Sequence, residues 1–193
     1  MEHIYLNDNF GEKWFTYANF YSFIVKKFPS NSHFVEVGSW KGMSSAYMAV
    51  EIINSNKNIK FDCVDTWLGT VSDGHQQEHY VSSGKLYDLF IENMKPVEKY
   101  YTPIRLTSIE AAKLYKDKSL DFVFIDADHT YDAVKSDILS WLPKIKSGGV
   151  IGGHDYISRE RNAFIGLKKA VHECFSFDQI NDEEQDRVWW VQL

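Results

Sequence analysis

The stretch Glu36-Val37-Gly38-Ser39-Trp40-Lys41-Gly42-Met43-Ser44 decides how this chain is read. It follows the apolar run 33–37 and opens a helical stretch over 43–53, so it is a strand-to-helix turn. Gly38 and Gly42 let the backbone turn sharply and come close to a ligand. The helix that follows presents free N–H groups at its start. A dinucleotide site would place pyrophosphate there and carry Gly-x-Gly-x-x-Gly. That pattern is absent, and Trp40 stands where its second glycine would be. The turn suits a ligand held by an acid and a few backbone groups, with Glu36 orienting a cationic amino group and Gly42 admitting the close approach.

Outward from this turn, short apolar strands alternate with helices. Spacing predicts a helix over 12–28, with Trp14, Phe15, Phe20, Phe23 and Ile24 on its buried side. Strands are expected at 33–37, 59–64, 103–106, 120–125 and 150–153. Helices are expected at 43–53, 110–115, 131–142 and 163–174. Residues 67–101 are less regular and read as a mobile insertion around one helix, 85–94. Runs 175–180 and 188–191 read as two strands joined by the acidic stretch 181–186. The alternation predicts a doubly wound, mostly parallel α/β sheet in one domain spanning 1–193. Ligands in such sheets bind beyond the carboxyl ends of the strands, where the strand order reverses.

Each strand end carries polar residues. The second ends in Asp65, which can accept two hydrogen bonds from ribose hydroxyls. Trp67 can pack on an adenine face, and Ser108 can meet the adenine edge. The fourth runs into Asp126-Ala127-Asp128-His129-Thr130-Tyr131-Asp132, and the fifth into Gly152-Gly153-His154-Asp155-Tyr156. Neighbouring ends would bring Asp126, His154 and Asp155 together as a divalent-cation site, with His129 close by. Taken singly, these residues also read as helix caps or surface side chains. Two acid–histidine clusters at adjacent strand ends favour function. Tyr131 and Asp132 begin the next helix. His75 and His79 are spaced i, i+4 but lack a third ligand, and read as lining an acceptor pocket.

The pattern resembles class I S-adenosylmethionine-dependent methyltransferases over nearly the whole chain. Glu36-x-Gly38-x-x-x-Gly42-x-Ser44 is similar to the catechol O-methyltransferase-like loop. The block 122–156 looks closer to small bacterial enzymes related to macrolide-sugar O-methyltransferases. The resemblance implies a seven-stranded, Rossmann-like sheet whose last strand is antiparallel. It implies S-adenosylmethionine contacts from Glu36, Gly38, Ser39, Ser44, Asp65 and Ser108, with Asp126 bordering the same pocket. It further implies Asp126 and Asp155 as metal ligands, with magnesium or manganese, and His129 as general base. His154 departs from the pattern, because relatives often place a carboxylate there. As a nitrogen ligand it would favour manganese; otherwise it orients substrate.

The implied activity is O-methylation of a small polar acceptor, such as a sugar or glycoside. Trp67, Tyr80 and Tyr87 of the 67–101 segment offer faces for a sugar. Two other readings remain open at this point: a nucleoside-binding module without catalysis, and a nicotinamide-dependent oxidoreductase. The net charge of −6, from 27 acids and 21 bases, disfavours duplex nucleic acid as partner. The absence of an Asn-Pro-Pro-Tyr-type motif disfavours base methylation. Two cysteines, Cys63 and Cys174, suggest no disulfide framework. The chain shows no run of about 18 apolar residues and no signal pattern. A cytoplasmic address follows as the default expectation, and a homo-oligomer is compatible with everything above.

Overall fold

The computed structural model describes residues 1–11, 14–70, 74, 77–156, 165–183 and 185–193. Apolar strands form its centre because both of their faces are covered. Strands β1 (His33–Val37), β2 (Lys60–Asp65), β3 (Thr102–Arg105), β4 (Leu120–Ile125), β5 (Ile145–Gly153), β6 (Asn181–Glu183) and β7 (Val188–Gln192) form a single sheet. Their order is β3-β2-β1-β4-β5-β7-β6. β1 pairs in parallel with β2 and β4, and β7 runs antiparallel to β5 and β6. The order reverses between β1 and β4, which places the expected ligand cleft beyond Val37 and Ile125.

Side chains alternate between the two faces of each strand. Phe34, Phe61, Phe122 and Phe124 point to one face, where they meet Phe20, Tyr21 and Ile24 of α1 (Ala18–Lys27). Helices α2 (Met43–Ser55) and α4 (Leu86–Met94) complete that layer with Met48, Ile52, Phe90 and Met94. Val35, Val37, Val123 and Ile125 point to the opposite face. There they meet Ala111 of α5 (Ser108–Ala112), Val134, Ile138 and Trp141 of α6 (Tyr131–Trp141), and Val171 of α7 (Ile165–Cys174). The short α3 (His79–Ser82) precedes α4.

The structure changes the sequence reading at three places. The first helix is shorter than 12–28: residues 14–17 form a strap without regular secondary structure, and Trp14 and Phe23 are exposed. The segment 67–101 divides in two. Its later part is the crossover between β2 and β3, with Leu86, Phe90, Met94 and Val97 fully buried. Among the described residues of its early part, Gly69, Thr70, Gly74 and Glu78 border a cleft at the strand ends. The last hairpin also shifts. Ser176 and Gln179 form a capping box that winds residues 177–179 into a 3-10 turn, so the acidic residues Asn181–Glu183 become the strand.

Candidate active site

The end of β1 is zipped to β2 on one side and to β4 on the other. Gly38 N–H donates to Val64 O, and Asp126 N–H donates to Val37 O, both at 2.8 Å. Gly38 has φ +94°, and a Cβ there would lie 2.0 Å from the carbonyl oxygen of Asp126. Only glycine lets the turn sit on the β4 end. Gly42 also has positive φ, but its neighbours are Phe90 and Met94 of α4. Its expected place against the cofactor is therefore corrected: it makes room for a packed helix.

Asp65 sits at the end of β2. Its Oδ2 accepts from the backbone N–H of Ser39 (3.0 Å) and Trp40 (2.8 Å), and its Oδ1 from that of Trp67 (2.7 Å). These bonds use three of the roughly four lone-pair positions of a carboxylate. At most one remains for a ribose hydroxyl, where the sequence reading allowed two. Burial raises the pKa of Asp65 despite the backbone donors, which act in the opposite direction.

Glu36 and Trp67 depart from their expected places. Glu36 is fully buried on the aromatic face, where Tyr21 Oη donates to its Oε1 at 2.8 Å and Ser45 Oγ to its Oε2. Burial raises its pKa against these donors. It braces α1 and α2 against β1 and is not among the cleft-lining residues. Trp67 is 1% exposed, packs edge-on to Tyr87 and tilted against Phe90, and donates its indole N–H to Trp40 O. It is core, because the φ of +53° at this residue turns the ring under the loop. Tyr87 likewise stays outside the cleft.

The remaining expected residues share one cleft of about 1480 Å³. Gly38, Ser39, Ser44, Asp65 and Ser108 line it together with the acidic cluster Asp126, His129, His154 and Asp155. Pockets for one small ligand run to about 300–1,000 Å³, so this cleft has room for two reactants. Ser108 Oγ accepts from Trp141 Nε1 at 2.9 Å, which ties its side chain to α6. His79 is not a cleft residue, and His75 lies outside the described residues.

Asp126, His129, His154 and Asp155 form a compact charge cluster. His129 Nε2 lies 3.2 Å from Asp155 Oδ2 and 3.7 Å from Asp126 Oδ1. His154 Nδ1 lies 3.4 Å from Asp155 Oδ2 and 3.6 Å from Asp126 Oδ1. Burial alone would raise Asp126, but the charge of His154 and bonds from both histidines hold it far below the usual carboxylate range. The same balance sets Asp155 to about 2. Burial would lower His154, yet Asp126 chiefly lifts it to about 9. Asp155 has φ +58°, a conformation that costs a non-glycine residue energy and concentrates at functional sites.

One ligand atom each from Asp126, His154 and Asp155 lies within 4.8 Å of the others. Metal bonds of about 2.0–2.3 Å let a single ion meet all three after small side-chain rotations. The donor set, two carboxylates and an imidazole, fits a divalent transition ion better than magnesium.

Several cleft residues carry no sequence signal. Tyr17 Oη donates to Asp126 Oδ2 at 2.8 Å across 109 residues of chain, and Thr16 meets His154 across 138. Asp137 is 5% exposed inside α6, and desolvation raises it to about 6. It sits at helical spacing with the core residues Val134 and Ile138, where an acid is unexpected.

A family model described as a methyltransferase domain matches residues 35–156, from the middle of β1 through the β5 end. This chain belongs to the methyltransferase domain family. With that, the expectation of a class I, S-adenosylmethionine-dependent methyltransferase stands. Among solved structures, the methyltransferase shares its fold with the O-methyltransferase NovP: 12% identity, TM-score 0.66, 92% of this chain and 79% of that one. It is also similar to the S-adenosylhomocysteine-bound methyltransferase PaMTH1 of Podospora anserina: 13% identity, TM-score 0.64, 91% and 76% coverage. An O-methyltransferase of Bacillus cereus in complex with S-adenosylhomocysteine gives 14%, 0.63, 92% and 81%. At these identities the likeness is one of fold. An uncharacterized protein, y4gI of Sinorhizobium fredii, is 27% identical over 126 residues. Those residues are 65% of this chain, which spans only 13% of that relative's length.

Proposed function

We propose that this methyltransferase moves the methyl group of S-adenosylmethionine to a hydroxyl oxygen of a small polar acceptor. The single observation behind this reading is the convergence of Asp126, His129, His154 and Asp155 on one wall of a two-reactant cleft. The Gly38–Ser44 turn, Asp65 and Ser108 would hold the cofactor on the other wall, and Asp126 would border both reactants.

A hydroxyl is a weak nucleophile while it keeps its proton. His129 is suited to take that proton, since its ring lies between the two carboxylates, which stabilise the imidazolium as it forms. Asp126, His154 through Nδ1, and Asp155 would hold a divalent cation. Such a cation, when bound, lowers the pKa of a coordinated hydroxyl and fixes its position. The rest of the acceleration comes from holding the reacting oxygen in line with the sulfonium methyl.

The cleft's aromatic residues suit the flat face of a sugar or ring. They are Phe10, Trp14, Phe15, Tyr17 and Trp40, in place of the Trp67, Tyr80 and Tyr87 suggested by sequence. Turnover with S-adenosylmethionine across a panel of polyols, glycosides and phenols, with and without manganese, tests the reading. No turnover on any hydroxyl acceptor would remove it. The non-catalytic alternative is separated by His129→Ala, which should abolish turnover while S-adenosylhomocysteine still binds. Among the described residues no helix is long and apolar enough to cross a membrane.

A further inference from the structure

Two consecutive residues of the strap before α1 hold the candidate ligands from behind. Thr16 Oγ1 donates to the backbone oxygen of Asp186 at 3.1 Å and lies 2.9 Å from His154 Nε2. A hydroxyl has one proton and two lone pairs. With its proton directed at Asp186, Thr16 can only accept from His154, so Nε2 is the donor. Nδ1 is then the nitrogen that faces Asp126 and Asp155. Tyr17 has the matching part on the next ligand. Its Oη donates to Asp126 Oδ2, leaving Oδ1 toward His154 and His129.

This arrangement opposes a real tendency. Two carboxylates beside Nδ1 attract a proton to that nitrogen, and a neutral ring protonated there has no lone pair to offer a cation. A fixed acceptor at Nε2 removes the ambiguity, because the hydrogen bond at one ring nitrogen sets what the other can do. The tie to Asp186 matters as well, since it anchors the acceptor to the turn that leads into β7.

We propose that Thr16 is a positioning residue for a divalent-cation site: it keeps the ring proton of His154 on Nε2, so that Nδ1 meets a cation between Asp126 and Asp155. Tyr17 turns Oδ1 of Asp126 to the same point. The proposal rests on the cation reading given above. Thr16 itself is exposed and does not contact the cation.

The test uses the full chain, stripped of metal, as wild type, Thr16→Val, Thr16→Ser and Tyr17→Phe. Manganese affinity is read from the electron paramagnetic signal of the free ion, and S-adenosylhomocysteine affinity reports an intact cleft. Loss of a group that orients a ligand costs about 10–100-fold in metal affinity. Thr16→Val should fall near tenfold, because water can reach the vacated position. Tyr17→Phe should lose more, and Thr16→Ser should match wild type. Long-range nitrogen–proton correlation of His154, without cation and at a pH where the ring holds one proton, reads the tautomer directly. The proton should sit on Nε2 in wild type and Thr16→Ser, and shift toward Nδ1 in Thr16→Val. Unchanged manganese affinity or an unmoved proton in Thr16→Val overturns the proposal. Wild type that binds no manganese overturns the cation reading instead. The ring spectrum alone then decides whether Thr16 sets the tautomer.

Discussion

Asp137 is the residue whose burial has the clearest energetic consequence. Desolvation lifts its carboxyl to about 6, above the ordinary value near 3.9. The protonated form is therefore favoured by the fold. Its contribution is fully present below about pH 4 and is lost as pH rises through about 6, on the order of 2–3 kcal/mol in all. Asp137→Asn should stabilise the ligand-free protein at pH 7.5 and change little at pH 4. Chemical denaturation of both proteins at the two pH values measures this, and equal differences at both would refute it. Gly38→Ala belongs to the same scale. A methyl group 2.0 Å from a carbonyl oxygen, at a φ that side chains resist, should cost about 2–4 kcal/mol and weaken S-adenosylhomocysteine binding. Sequence pointed to Gly38, Asp126 and His154 as cleft residues because their residue types stand at strand ends. It could not show Thr16, Tyr17 or Asp137, whose roles arise only when distant segments fold onto one point. Trp67 misled for a related reason: an aromatic after a strand-end acid reads as a ligand platform until its backbone turns it inward.

At the level of elements, α4 is the informative case. Its sequence follows a polar, glycine-containing stretch and runs into Pro96, and so reads as part of an insertion. Yet Phe90 and Met94 pack against Gly42, so the helix supports the turn between β1 and α2. Phe90→Ala should cost about 3–5 kcal/mol, read from the urea midpoint. A loss under 1 kcal/mol would return α4 to the status of a peripheral insertion. Strands β1 and β4 were legible to the residue because both are apolar runs bounded by polar residues. The hairpin was not, since the capping box at Ser176 overrode the strand preference of the phenylalanines. The strap was likewise hidden by helical spacing that continues past the helix's true start at Ala18.

For the whole molecule, the two cores share every central strand, which predicts one cooperative unfolding transition. S-adenosylhomocysteine at about a hundred times its dissociation constant should add roughly 2.7 kcal/mol. Manganese should add a further increment that Asp155→Asn abolishes. Thermal scans of the wild type and this variant, with each ligand alone and with both, separate the two effects. The outermost strands carry one more consequence. β3 contains Pro103, which has no N–H to offer, and β6 consists of Asn181, Asp182 and Glu183, all exposed. A neighbouring chain arriving at either margin meets a missing donor or a short polar strand with two negative charges. Such margins resist templated stacking of one sheet onto another. The protein is thereby guarded against runaway self-association, even with Leu114, Ile165 and Phe177 open to water elsewhere on its surface.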